Sequence, residues 1–130
     1  MPEPEIASTL RRYFDEHGAG IVAVYLFGSM ARGTARAESD VDLGVLYERV
    51  PESTLEGQPF DLESALERLV SRPVQVVALN RAPVDLVHRV LRDGILVAER
   101  DRSARVRFEV RARSEYFDLL PILRRYRRQA

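Results

Sequence analysis

Residues 21–27 read IVAVYLF, a nearly continuous apolar run rich in β-branched and aromatic side chains. A run of that kind needs cover on both faces, and it predicts a short buried strand. The chain leaves it through FGSMARGTARAESDVD, residues 27–42, and within that segment reaches two carboxylates, Asp40 and Asp42. Val41 to Tyr47 then reads as a second strand, half apolar and on one face only. A small-residue turn between a buried strand and two acids admits three readings: a surface loop, a phosphate cradle, or a metal-dependent site for nucleotide chemistry.

The rest of the chain supplies helices around a small sheet. Ile6 to Glu16 places Ile6, Leu10, Tyr13 and Phe14 at helical spacing, and HGAG stops it, with Gly18 or Gly20 free to turn left-handed. Met30 to Arg32 reads as the first turn of a short helix. ERVPESTLEGQPFD is a polar connection, and Asp61 is an expected N-cap for the helix LESALERLV. Val74 to Leu79 forms a third strand. APVDLVHRVLRD is a proline-started helix halted at Gly94, with a short strand from Ile95 to Ala98 behind it. The arginine-rich tail from Arg102 to Arg128 carries an apolar stripe that Pro121 should interrupt or restart. The expectation is one α/β domain over residues 1–130, a small mixed sheet flanked by helices in residues 1–100 with a C-terminal helix added in 101–130.

Composition excludes several functions. Twenty acidic and twenty basic residues cancel, so no global cationic field suggests direct nucleic-acid binding. Every basic residue is arginine. Cysteine is absent, which removes disulfides, zinc ribbons and thiol catalysis together. No apolar run approaches the roughly 20 residues of a membrane span, and MPEPEIASTL lacks the basic and apolar regions of a signal peptide. A cytoplasmic protein with no membrane partner is the default expectation.

Residues two apart on a strand point to one face, so the carboxylates of Asp40 and Asp42 converge. Like charges held close call for a cation, and an oxygen-only pair suits Mg²⁺, which commonly takes one or two carboxylates plus substrate phosphates. Gly28 lets backbone N–H groups approach a ligand, and a helix starting after Ser29 would aim its free N–H groups at the same place. Ser29 could donate to a phosphate oxygen, and Arg32 and Gly33 continue a loop able to close over a triphosphate. A tight turn with a helix cap explains Gly28 and Ser29 equally well, but leaves unexplained two acids aimed at one spot.

Gly28-Ser29, ten intervening residues and Asp40-Val41-Asp42 resemble the G-S-x10-D-x-D signature of the polymerase-β-like nucleotidyltransferases. The longer stretch LFGSMARGTARAESDVDLGVL is similar to the minimal nucleotidyltransferases (MNT), and the likeness extends through RPVQVVALNRAP to FEVRARSEYFDLLPILRRYRR. The resemblance implies the polymerase-β-like nucleotidyltransferase fold and the antitoxin half of a HEPN–MNT (type VII) pair. Such an antitoxin transfers AMP from ATP to a tyrosine of its HEPN ribonuclease toxin. It further implies phosphate binding by Gly28 and Ser29 and magnesium held by Asp40 and Asp42. Where the family carries a third acid, in the strand matching Val74 to Leu79, this sequence has Gln75. An amide ligates weakly and cannot accept the proton of an attacking hydroxyl, a task worth about 10²–10⁴-fold.

Asp61, Glu63 and Asp85 fall in expected helices and offer no obvious substitute for that acid. His17 and His88 lack ligand-like spacing and read as structural, and Tyr25 and Tyr47 read as packing residues. The arginines at 105, 107, 111, 113, 124, 125, 127 and 128 form a solvated helix face or a contact surface for an acidic partner or for RNA bound to it. Three functions follow: the transferring antitoxin, an antitoxin that neutralises by binding alone, and a small-molecule nucleotidyltransferase of the aminoglycoside-modifying kind. The last carries an extra substrate domain, which this length leaves no room for.

Overall fold

The computed structural model describes residues 5–36, 39–51 and 60–129. The elements run α1 (Glu5–His17), β1 (Ile21–Phe27), α2 (Ser29–Arg32), β2 (Val41–Tyr47), α3 (Phe60–Val70), β3 (Val74–Ala78), α4 (Val84–Asp93), β4 (Ile95–Glu99) and α5 (Arg102–Gln129). The four strands order as β3-β2-β1-β4. β1 pairs antiparallel with both β2 and β4, while β2 and β3 are parallel. This is the expected mixed sheet with a C-terminal helix. Most of the polar connection expected over 48–61, namely 52–59, lies outside the described residues.

Strand alternation splits the core into two layers. On one face Leu10 and Phe14 of α1 and Leu62 and Leu66 of α3 bury Val24, Leu26, Val41, Leu43 and Val45. On the other, Val87 and Val90 of α4 and Ala112 of α5 cover Val22, Tyr25, Leu46 and Leu79. β2 therefore differs from expectation. It is apolar on both faces, and all of its residues except Asp42 are buried, because it has a hydrogen-bonded neighbour on each side and helices above and below.

Two expectations are overturned and one is narrowed. α3 begins at Phe60, so Asp61 sits inside its first turn, where a negative charge faces the helix's positive end; it is not the N-cap. Gly20, at φ 78°, takes the left-handed turn after α1, whereas Gly18 does not. α5 runs unbroken through Pro121. That proline withholds one N–H from the ladder, but residues 117, 118 and 121 are exposed there, so water can take the freed acceptor. Asp101, unnoticed in the sequence, starts this helix by accepting the Ala104 N–H (3.0 Å).

β3 is an edge strand whose outward N–H groups are met by α3. The Glu63 carboxylate accepts from Val76 N (2.7 Å) and the Glu67 carboxylate from Val74 N (3.2 Å). The two glutamates blunt an edge that would otherwise invite another strand. Removing a charged acceptor from a partly buried N–H typically costs about 1.5–3 kcal/mol. Glu63→Ala should therefore lower the urea midpoint clearly, and Glu67→Ala less, because its bond is longer and more exposed. Equal midpoints for wild type and Glu63→Ala would remove the edge-capping role.

Candidate nucleotide and metal site

At the end of the sheet the register sets three residues side by side. Phe27 closes β1 opposite Asp42, and Asp42 in turn stands opposite Gln75 of β3. Cross-strand partners share a face, so Asp42 and Gln75 point the same way. Gln75 Nε2 donates to Asp40 Oδ2 over a long 3.4 Å, which brings Asp40 onto that face as well. Its neighbour Val41 starts β2 by giving its N–H to the Pro73 carbonyl (2.9 Å).

The loop leading to Asp40 is held at its far end. Arg36 N donates to Ser39 Oγ (2.7 Å), and Ser39 N donates back to the Arg36 carbonyl (3.0 Å). Arg72 Nη1 reaches over from the start of β3 to the carbonyls of Arg36 (2.9 Å) and Ser39 (3.3 Å). Neither Ser39 nor Arg72 was singled out in the sequence. The only local sign was their place, each just before a strand.

Gly28 has two reasons to be glycine. Its φ of 73° lies in the left-handed region, and a Cβ there would collide with Asp42 Oδ2. The backbone at the end of β1 thus runs against the carboxylate itself. Ser29, half-buried, opens α2, and the first N–H to bond back along that turn is Arg32's, to the Gly28 carbonyl (3.1 Å). The N–H groups of residues 29–31 precede it and lack an intrahelical acceptor by position. With four residues, α2 adds little dipole; the amides themselves are the donors. Gly33 caps the turn in the left-handed conformation at φ 75° and is exposed.

Burial pushes the Asp42 carboxyl above its ordinary pKa, the Asp40 charge pushes it further, and the Arg32 guanidinium pulls it back. Arg32 also helps hold the Asp93 carboxyl low, after the hydrogen bond and ion pair that Asp93 makes with Arg92 (2.8 Å). Of the acids weighed as substitutes, Glu63 is spent on β3, while Asp61 and Asp85 are exposed on their helices. Among the described residues no three His, Cys, Asp or Glu side chains gather as a metal site. The donor set is two carboxylates, one of them desolvated against its like-charged neighbour. That set suits a cation which completes its shell with water and phosphate oxygens.

The two histidines play structural parts, with His17 Nδ1 against the Tyr13 carbonyl (3.1 Å) and His88 stacked on Tyr116 at 3.5 Å between centroids. Tyr47 is buried without a hydroxyl partner among the described residues, and burial lifts its pKa to about 12.

Residues 8–103 match the family described as Polymerase beta, Nucleotidyltransferase. The chain is 35% identical over 78 residues to the protein adenylyltransferase MntA of Thermococcus cleftensis, spanning 60% of this chain and 76% of that protein. A putative minimal nucleotidyltransferase of known structure is 36% identical, at a TM-score of 0.58 over 70% of this chain and 92% of the other. In fold, the chain resembles the crystal structure of a toxin–antitoxin with AMP-PNP (TM-score 0.79, 21% identity, 95% and 96% covered). It likewise resembles the complex of tri-AMPylated Shewanella oneidensis HEPN toxin with MNT antitoxin (TM-score 0.72, 19% identity, 95% and 93% covered).

Because folding raises the Asp42 pKa, the folded protein holds that proton more tightly than the unfolded chain. The ionised carboxylate therefore costs stability near neutral pH, and the cost fades as pH falls through the carboxylate range. In magnesium-free buffer Asp42→Asn should melt above wild type near neutral pH, with the gap narrowing as the buffer is acidified. A variant that melts at or below wild type near neutral pH would contradict the cost of burying this charge beside Asp40.

Proposed function

The chain belongs to the polymerase beta nucleotidyltransferase family, and we propose that it is a magnesium-dependent antitoxin that transfers AMP from ATP to a tyrosine of a HEPN ribonuclease toxin in the cytoplasm. The observation that carries this reading is the meeting of Gly28 with Asp42, a bare backbone set against a carboxylate that feels the like charge of Asp40. The name of the MntA relative and the AMPylated toxin held by an MNT antitoxin support the same reaction, and the AMP-PNP complex supports ATP as donor.

In the proposed reaction the N–H groups after Gly28 and the Ser29 hydroxyl receive phosphate oxygens. Arg32 and Gly33 flank the triphosphate at the exposed end of α2. Asp40 and Asp42 would hold Mg²⁺, which when bound neutralises charge on the triphosphate and between the two carboxylates. The tyrosine oxygen forms a bond to the α-phosphorus, the bond from that phosphorus to the β-phosphate bridge breaks, and pyrophosphate leaves. The phenolic proton passes to water, since Gln75 faces Asp40 as a donor and cannot accept it. Phosphoryl-type transfer depends mostly on positioning and charge neutralisation, so a slow reaction remains within reach of two acids.

Gln75 also supports a second reading, in which the protein neutralises its toxin by binding alone. Labelled ATP, magnesium and the proposed HEPN toxin partner separate the two. Wild type should label the toxin slowly, and Gln75→Asp should speed labelling by about 10²-fold or more by restoring a base. The Asp40→Asn, Asp42→Asn double variant should lose both labelling and protection of cells from the toxin. Full protection by that double variant would put binding in the place of transfer.

The phosphate cradle has its own test. A side chain at position 28 meets both the left-handed backbone and the Asp42 carboxylate, so Gly28→Val should abolish calorimetric binding of Mg-ATP. Wild-type affinity in that variant would remove Gly28 from the nucleotide site.

A further inference from the structure

α5 is apolar along two sides. One side belongs to the core: Ala112 is buried and Phe108 packs beside it against α4 and β1, with Tyr116 stacked on His88. The other side carries Val106, Val110 and Phe117, exposed to 42%, 57% and 70%. Their spacings of four and seven residues return each side chain to the same side of a helix, opposite Phe108 and Ala112. Among the described residues, the intramolecular core does not use this stripe.

Its borders are arginines. Arg113 lies on the same side between Val110 and Phe117, its side chain 56% exposed, and Arg124 extends the line two turns beyond Phe117. Arg107 flanks Val106 and Val110. Two acids stand beside the stripe, exposed Asp118 on the Arg107 edge and Glu109 on the other, where Glu109 is largely engaged elsewhere. Its Oε1 accepts from the Tyr25 hydroxyl (2.7 Å) and from Arg105 Nη1 (2.9 Å), and its Oε2 is 3.9 Å from Arg113 Nη2. Arginines outnumber acids beside the stripe although the whole chain is neutral.

We propose that this outward side of α5 is the docking surface for the protein substrate, engaging an apolar strip bordered by aspartate and glutamate on the toxin. The proposal rests on the transfer reading above and adds where the substrate is held. A valine–valine–phenylalanine stripe needs an apolar face to leave water, and arginine borders select an acidic rim. A second copy of the chain would set arginine against arginine. Single-stranded RNA would satisfy the arginines and stack on Phe117, but would lay phosphate over Val106 and Val110.

The test uses the full chain and the proposed HEPN toxin partner, with calorimetry for affinity. Val110→Asp, Phe117→Asp alters only exposed side chains, and Val110→Ser, Phe117→Ser repeats the test without new charge. An unchanged melting temperature and Mg-ATP affinity confirm folding. Both variants should bind the toxin roughly tenfold or more weakly, as loss of interface anchors does. Arg113→Glu, Arg124→Glu should weaken it too and flatten the dependence on salt. Toxin affinity equal to wild type in all three variants overturns the proposal. So does unchanged toxin affinity with loss of self-association in the ultracentrifuge, which would assign the stripe to a second copy, or with loss of oligoribonucleotide binding, which would assign it to RNA. Wild type that binds the toxin through this stripe yet transfers no AMP sinks the transfer reading and leaves the docking surface standing.

Discussion

β2 is hydrogen-bonded on both sides and covered on both faces, and that double confinement decides where Asp40 and Asp42 can stand. A strand so enclosed cannot slip by one residue without turning its buried set outward. Its register is therefore fixed by Val41, Leu43 and Val45 in one core layer and Leu46 in the other. The carboxylate of Asp42 inherits this precision without contributing to it. The apolar core holds a like-charged pair together against its own repulsion, since nothing in the pair favours the approach. The repulsion is a cost that a bound cation would relieve, and the core layers are what sustain it until then.

Gly28 shows the same logic from the neighbouring strand. β1 must end as a partner of Asp42 because the two strands are antiparallel at that point, and the chain must then turn away into α2. A positive φ achieves the turn within one residue, and the missing Cβ leaves the carboxylate its place. The fold and the chemistry ask for the same residue.

Much of this was legible in local pattern. The bounds of β1 and β2, the short α2 and the stop after α1 follow from apolar runs and small residues whose meaning does not depend on distant partners. What escaped notice depends on pairing across the chain. Glu63 and Glu67 look like the solvated face of a helix until β3 is placed beside them, and Arg72 looks like a loop residue until the Arg36–Ser39 turn is brought to it. The burial of β2 on both faces was hidden for the same reason: a strand's pattern shows its side chains but not which strands flank it. Pro121 misled because propensity weighs a lost N–H without knowing whether water can reach the freed carbonyl.

Position 75 is where the pattern and the structure together say most. The parallel register sets Gln75 directly beside Asp42, in the row where a carboxylate would add a third negative charge to two already in conflict. The amide does the opposite. It offers a donor to Asp40 and so eases the pair in the absence of metal. The exchange lowers the electrostatic cost of holding the site, and with it the charge available to bind a cation. A chain that keeps the glycine turn and both remaining acids, yet has an amide in that row, would on the proposed function keep the parts that position a nucleotide while position 75 offers nothing to take a proton. Weak chemistry of this kind gains most from a partner held in place, because a slow step on a bound substrate still completes when dissociation is slower.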